Sequence, residues 1–234
     1  MTQDIHAVIF DLDGTLIDSM RIWHEIDIAF FAENGLELPE GLSEQVAKMS
    51  IDEWADFFVQ NYVPALTPAQ VIARIEEMAA DHYKYTIPMK PYVTELLDAL
   101  DAKGIPYGIC TATYRSSADA VLTRLGLRER MQFVLTGEDF PEGKTNPGIF
   151  LEAQKRLGAS VSQTLVIEDA LHCIETAVNA GFPVAAVYDP ATPDADWARA
   201  CEIASFWGED LRAVARLGGF LSADADSGGA ARPS

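Results

Sequence analysis

From Pro91 onward the chain alternates helical and extended patterns, and this constrains the fold more than any other feature. A helix carrying Val93, Leu96, Leu97 and Leu100 ends at Gly104, and Pro106 to Cys110 reads as a strand. A second helix through Ala118, Val121, Leu122 and Leu125 stops at Gly126, before a strand at Phe133-Val134-Leu135. Asn146-Pro147 opens a third helix with Ile149, Phe150, Ala153 and Leu157, Asn146 acting as its cap. The strand Thr164 to Ile167, a helix around Ile174, Ala177 and Val178, and the strand Val184 to Val187 complete the series. Helices returning between strands predict a parallel sheet with helices on both faces.

The N-terminal run His6-Ala7-Val8-Ile9-Phe10 reads as a further buried strand of this sheet. The segment after it has helical spacing. Asp18 or Ser19 can cap a helix through Ile22, Ile26, Ala29 and Phe30 that stops at Asn34-Gly35. Ser50-Ile51-Asp52-Glu53 is a capping box before Trp54, Phe57 and Phe58. Thr67-Pro68-Ala69-Gln70 repeats that logic ahead of Val71, Ile72, Ile75, Met78 and Ala79. The predicted fold class is therefore α/β: a Rossmann-like parallel sheet with an all-helical segment inserted after the first strand. Residues 1–17 and 89–221 form the α/β part and 18–88 the helical insert, while 222–234, rich in Ser, Ala, Asp and Gly, have little to bury and are expected to be a disordered tail.

Composition narrows the function classes. The 234 residues carry a formal net charge of -19, which argues against nucleic acid or an anionic membrane as partner. An anionic substrate then needs local positive charge or a bound metal to draw it in. Cys110, Cys173 and Cys201 are odd in number and not spaced as metal-ligand pairs, which fits a reduced, cytoplasmic setting. No basic leader precedes an apolar run, and no continuous apolar stretch reaches membrane-spanning length, so neither export nor insertion is expected.

In open α/β sheets ligands bind beyond the carboxyl ends of the strands. The polar residues there are Asp11 and Asp13, Thr111, Lys144 a loop beyond Leu135, then Glu168 and Asp169. Asp11 and Asp13 are two apart, so both lean to one side of the strand and repel. A cation between them relieves that repulsion, or one carries a proton for general acid work; Asp-Leu-Asp-Gly also fits simple turn chemistry. Taken singly, Lys144 fits a solvated loop, Thr111 a strand-end hydroxyl, and Glu168-Asp169 the acidic start of a helix. Together they offer hard oxygen ligands without thiolate or clustered histidine, which suggests Mg2+. An ammonium and a hydroxyl beside such a cation suit a phosphoryl group.

These residues resemble the motifs of the haloacid dehalogenase superfamily, in the branch with a helical cap inserted after the first strand. Asp11-Leu12-Asp13-Gly14-Thr15 is similar to its first motif, Thr111 to the hydroxyl ending the second strand, Lys144 with Pro147 and Phe150 to its lysine motif, and Glu168-Asp169 to its acidic fourth motif. The likeness covers about residues 1 to 207 in the right order. It departs at Thr145, where proline commonly follows the lysine, and at Ala170 and Cys173, where serine and glycine are usual. The resemblance implies that Asp11 attacks phosphorus to form an aspartyl-phosphate and that Asp13 protonates the leaving oxygen and then activates water. It further implies that Thr111, Ala112 and Lys144 hold phosphoryl oxygens, and that Asp11, Asp13, Glu168 and Asp169 surround Mg2+, Asp13 through its backbone carbonyl. Dehalogenating members lack an acid at the second aspartate, so Asp13 favours phosphoryl chemistry.

The implied protein is a Mg2+-dependent phosphatase of a small phosphorylated metabolite, as a monomer or weak homodimer. A sugar phosphomutase resembling β-phosphoglucomutase and a catalytically silent metabolite-binding protein are the alternatives. Met49 and Ser50 lie where related caps turn a loop towards the site, although Ser50 also serves as a helix cap. Arg115, Arg21 and Lys48 are further candidates for a second anionic group, or solvated surface charges. Trp23 and His24 fit packing, and His172 and Cys173 the helix behind the acidic motif.

Overall fold

The computed structural model describes residues 4–42, 46, 49 and 51–221, and of residues 51 and 52 only the backbone. The proposed tail at 222–234 and the candidates Ser50 and Lys48 lie outside the described residues. At its centre is a six-stranded sheet of β1 (Ala7–Phe10), β2 (Tyr107–Cys110), β3 (Val134–Leu135), β4 (Thr164–Glu168), β5 (Val184–Val187) and β6 (Phe206–Gly208). The spatial order is β3-β2-β1-β4-β5-β6 and every pairing is parallel. The order reverses at β1, which puts a crevice beside its carboxyl end.

Strand alternation divides the core in two. Val8 and Phe10 of β1, Leu165 and Ile167 of β4, and Ala185 and Val187 of β5 face one apolar cluster. The helices α4 (Val93–Lys103), α5 (Arg115–Arg124) and α9 (Leu211–Leu217) pack on that side. Ala7, Ile9, Val166, Val184 and Ala186 face the other, with α6 (Gly148–Leu157), α7 (Leu171–Asn179) and α8 (Asp194–Ile203). The expected helices on both faces are therefore present.

Between β1 and α4 the described residues form three helices: α1 (Met20–Glu33), α2 (Ile51–Asn61) and α3 (Pro68–Tyr85). Aromatic rings join α1 to α2 and the residue after it, with Phe31 5.4 Å from Phe58 and 5.1 Å from Tyr62. Thr67 and Gln70 close the anticipated capping box at the start of α3. The expected stop signals also hold: Gly35, Gly104 and Gly126 all take positive φ just past their helices. The chain leaves and re-enters the sheet through paired segments, Ile17 bridging Met89 antiparallel, Asp18 N–H donating to the Pro88 carbonyl and Lys90 N–H to that of Leu16, each at 3.0 Å.

Two expectations need correction. The alternation does not end at Val187 but continues through α8, β6 and α9. β6 is a three-residue edge strand whose Trp207 is 45% exposed, so it offers no apolar run to read. Ser19 occupies the cap position of α1 but makes no side-chain cap bond there, because its hydroxyl is drawn to Asp13 instead. No helix among the described residues is long and apolar enough to cross a membrane.

Candidate active site

The register of the sheet assembles the site. Phe10 pairs with Ile167 of β4 and Ile109 of β2, so Asp11, one residue past β1, lies level with Glu168 at the end of β4. Asp11 N–H extends the ladder to the Ile167 carbonyl at 3.0 Å. A short 3-10 turn at Gly143–Thr145, in the connection after β3, carries Lys144, and all four of Asp11, Lys144, Glu168 and Asp169 are buried. Lys144 Nζ donates to Asp11 Oδ1 and, at 2.8 Å, to Glu168 Oε2. Asn146 does not take the expected cap position, which Pro147 occupies without a side-chain cap bond; its Oδ1 instead accepts from Gly148 N–H at 2.9 Å in an Asx turn at the exit of the 3-10 turn.

Among the described residues, Asp11, Glu168 and Asp169 place one carboxylate oxygen each within 4.8 Å of one another. Fully ionised, three carboxylates against one ammonium leave two negative charges uncompensated in a buried space. Burial and then Glu168 push the Asp11 carboxyl well above the usual carboxylate range, against the pull of Lys144. Burial and Glu168 likewise raise Asp169 to about 8, opposed by its hydrogen bond from Thr15. Burial works against the Lys144 ammonium, yet Asp11 and Glu168 overcome it and hold its pKa well above the ordinary lysine value. All-oxygen donors with excess negative charge fit a hard divalent cation, which would relieve the repulsion among all three carboxylates.

Asp13 stands apart from this cluster. Its carboxylate is taken up by hydroxyls: Ser19 donates to Oδ1 at 2.6 Å, Tyr83 to Oδ1 at 2.5 Å, and Thr113 to Oδ2. These hydroxyls engage both carboxylate oxygens of Asp13, whose expected part in metal binding is through its backbone carbonyl. Thr111 is buried at the end of β2, its Oγ1 accepting from Thr113 N–H at 3.0 Å, and Ala112 beside it is exposed.

The remaining candidates are not gathered there. Arg115 turns to the loop after β3, donating to Asp139 and to the Val134 carbonyl at 3.2 Å. Arg21 is exposed beside Glu25 at 3.7 Å, His24 is exposed, and Met49 is half-buried against the larger apolar cluster. Trp23 packs edge-on to Tyr83 with ring centroids 6.1 Å apart.

Residues 8–187 match the family described as haloacid dehalogenase-like hydrolase. The chain belongs to that family. This haloacid dehalogenase-like hydrolase is 30% identical over 209 residues to the phosphoglycolate phosphatase of Escherichia coli, covering 77% of this chain and 80% of that protein. It is 26% identical over 176 residues to hexitol phosphatase B of the same organism, covering 73% and 78%. In three dimensions it resembles CbbY from Rhodobacter sphaeroides, solved with phosphate, at a TM-score of 0.77 and 20% identity over 88% of this chain and 95% of that one. A hydrolase from Pseudomonas syringae superposes at a TM-score of 0.72 with 25% identity, over 89% and 95%.

Sequence reasoning missed Ser19, Tyr83 and Thr113 around Asp13, and Thr15 beside Asp169. Thr113 had a signal, since it stands two residues past Thr111 as Asp13 stands two past Asp11. Tyr83 had none: it continues the buried stripe Val71, Ile75, Ala79 of α3 at intervals of four and reads as core.

Proposed function

We propose that this hydrolase is a Mg2+-dependent phosphatase of a small phosphorylated metabolite. The observation carrying this reading is the buried meeting of Asp11 with Lys144, Glu168 and Asp169, with Asp13 held two residues away. The similarity to the two Escherichia coli phosphatases supports it. Asp11, Glu168 and Asp169 would hold Mg2+, which when bound neutralises their charge and that of the phosphoryl group.

A carboxylate oxygen of Asp11 attacks phosphorus as the ester P–O bond breaks, and Asp13 gives its proton to the departing oxygen. Asp13, now a base, takes a proton from water as that water attacks the aspartyl-phosphate, releasing phosphate and restoring Asp11. Lys144, Thr111 and the backbone beside Ala112 hold the phosphoryl oxygens. Residues 18–88 act as a cap over the 1–17 and 89–221 part, excluding bulk water and selecting the substrate. The cysteines are free, which fits a reducing, cytoplasmic setting.

The test is phosphate release from 4-nitrophenyl phosphate and a panel of phosphorylated metabolites with Mg2+. Release that disappears in Asp11→Asn supports the phosphatase. Isomerised sugar phosphate without net release points to a mutase, and no turnover of any compound to a binding protein.

A further inference from the structure

Tyr83 is a buried phenol on the inserted helix α3, 70 positions from Asp13 in the chain, and yet it donates to Asp13 Oδ1 at 2.5 Å. We propose that Tyr83 is a positioning residue for Asp13, fixing from the helical insert the orientation in which that carboxyl exchanges protons with the leaving oxygen and with water. The inference rests on the phosphatase reading and adds to it a residue that belongs to neither the phosphoryl nor the metal cluster.

Three observations converge. The phenol is anchored at its backbone: Arg124 of α5 donates through Nε to the Tyr83 carbonyl at 3.4 Å and through Nη2 to that of Ile87, so the last turn of α3 is tied to a helix of the sheet. The Tyr83 carbonyl is an orphan of the helix end and that of Ile87 lies two residues past it; the guanidinium satisfies both while fixing where the ring enters. The ring is then gripped along its length, with Trp23 edge-on at 6.1 Å and the hydroxyl 3.4 Å from Thr113 Oγ1. Finally, the phenol is a durable donor: burial, and the Asp13 charge after it, hold its pKa well above the ordinary tyrosine value.

Ser19 and Thr113 also reach Asp13, but neither sits on a helix of the insert: Ser19 precedes the first residue of α1 and Thr113 lies in the loop after β2. Tyr83 is the donor that the helices of the insert supply among the described residues. A carboxylate held by hydroxyls on both oxygens has its plane fixed, and proton transfer depends on that orientation. The chain of contacts therefore runs from α5 through the end of α3 to the proton carrier.

The test uses the full-length Tyr83→Phe protein with Mg2+ and a series of aryl phosphates running from 4-nitrophenyl to phenyl. Protonation matters more as the leaving group becomes more basic, so loss of alignment must grow along the series. The expected result is a fall in kcat of about threefold for the nitrophenyl ester and about tenfold or more for the phenyl ester, KM staying within about twofold. In an Asp13→Asn background the same substitution produces no further steepening. A fall that is equal for all leaving groups, or one confined to KM, overturns the proposal. A readout independent of turnover is the 13C signal of the Asp13 carboxyl in the free protein: it shifts on Tyr83→Phe, and a signal that stays in place overturns the proposal. Failure of the phosphatase reading looks different, as wild type and Asp11→Asn then release phosphate equally.

Discussion

Gly14 lies against Asp169 so closely that a Cβ built on it would stand 2.3 Å from Asp169 Oδ2. The same glycine has φ +83°, a conformation that disfavours side chains. The loop after β1 thus meets the loop after β4 through bare backbone, and Thr15 Oγ1 completes the contact with a 2.9 Å hydrogen bond to Asp169 Oδ1. Gly14→Ala adds strain of about 1–2 kcal/mol and drives the Asp169 carboxylate out of place. Phosphatase activity is expected to fall about a hundredfold, as displacements of an ångström in catalytic groups do. Gly35→Ala is the control, because Gly35 has φ +72° but nothing within 4 Å of its would-be Cβ. It should lose similar stability in denaturant melts and keep its activity; equal activities in the two variants would refute the role of the close contact.

Lys144 is the ammonium that Asp11 and Glu168 share. Lys144→Met leaves both carboxylates buried without it, and removing one partner of a buried pair costs about 3–5 kcal/mol. The variant should melt at lower temperature, and Mg2+ should restore more stability to it than to the wild type, since the cation is then the compensating charge that remains. Calorimetry with and without Mg2+ measures both, and an unchanged melting temperature in metal-free buffer would contradict the pairing.

Lys90 and Asp189 form a second buried pair, Nζ to Oδ2 at 2.5 Å, with side-chain exposures of 11% and 2%. Lys90 lies between α3 and α4, and Asp189 comes after β5 and also holds the Ala191 N–H at 2.8 Å. Asp189→Leu alone strands a buried ammonium and should destabilise by about 3–5 kcal/mol, whereas adding Lys90→Met should recover much of that loss. Denaturant unfolding of the two singles and the double gives the coupling. Strictly additive losses would mean that the two side chains do not stabilise each other.

The parts legible in the sequence were those that a parallel sheet brings together by construction. Asp11, Thr111, Glu168 and Asp169 each sit at or just past a strand's carboxyl end, so locating the strands located them. Lys144 was legible through its motif, although its turn rather than a strand delivers it. Tyr83 was not, because the spacing that buries a residue on an α3 stripe is the same whether its hydroxyl ends in a core or on a carboxylate. Ser19 is hidden for a comparable reason: its hydroxyl, like the Asp18 carboxylate beside it, suits the start of α1, and only the fold brings Asp13 within its reach. β6 escaped because an edge strand of three residues with an outward tryptophan carries no alternation to detect.

The raised carboxyls make cation binding and pH interdependent. Asp169 titrates at about 8 in the fold, against about 4 for an unfolded carboxyl. Between those values the native state holds a proton that the unfolded chain has released, so stability falls as pH rises through this window when no divalent cation is bound. Asp11, raised for the same reasons, contributes with the same sign. A cation favours the ionised carboxylates and must displace those protons, so its affinity climbs with pH by up to about tenfold per unit for each proton released. Melting temperatures with Mg2+ and with a chelator at pH 6 and pH 8 measure this directly. The chelated protein should be less stable at the higher pH, and the increment from Mg2+ should be larger there; an increment that shrinks with pH would place the cation away from Asp11 and Asp169.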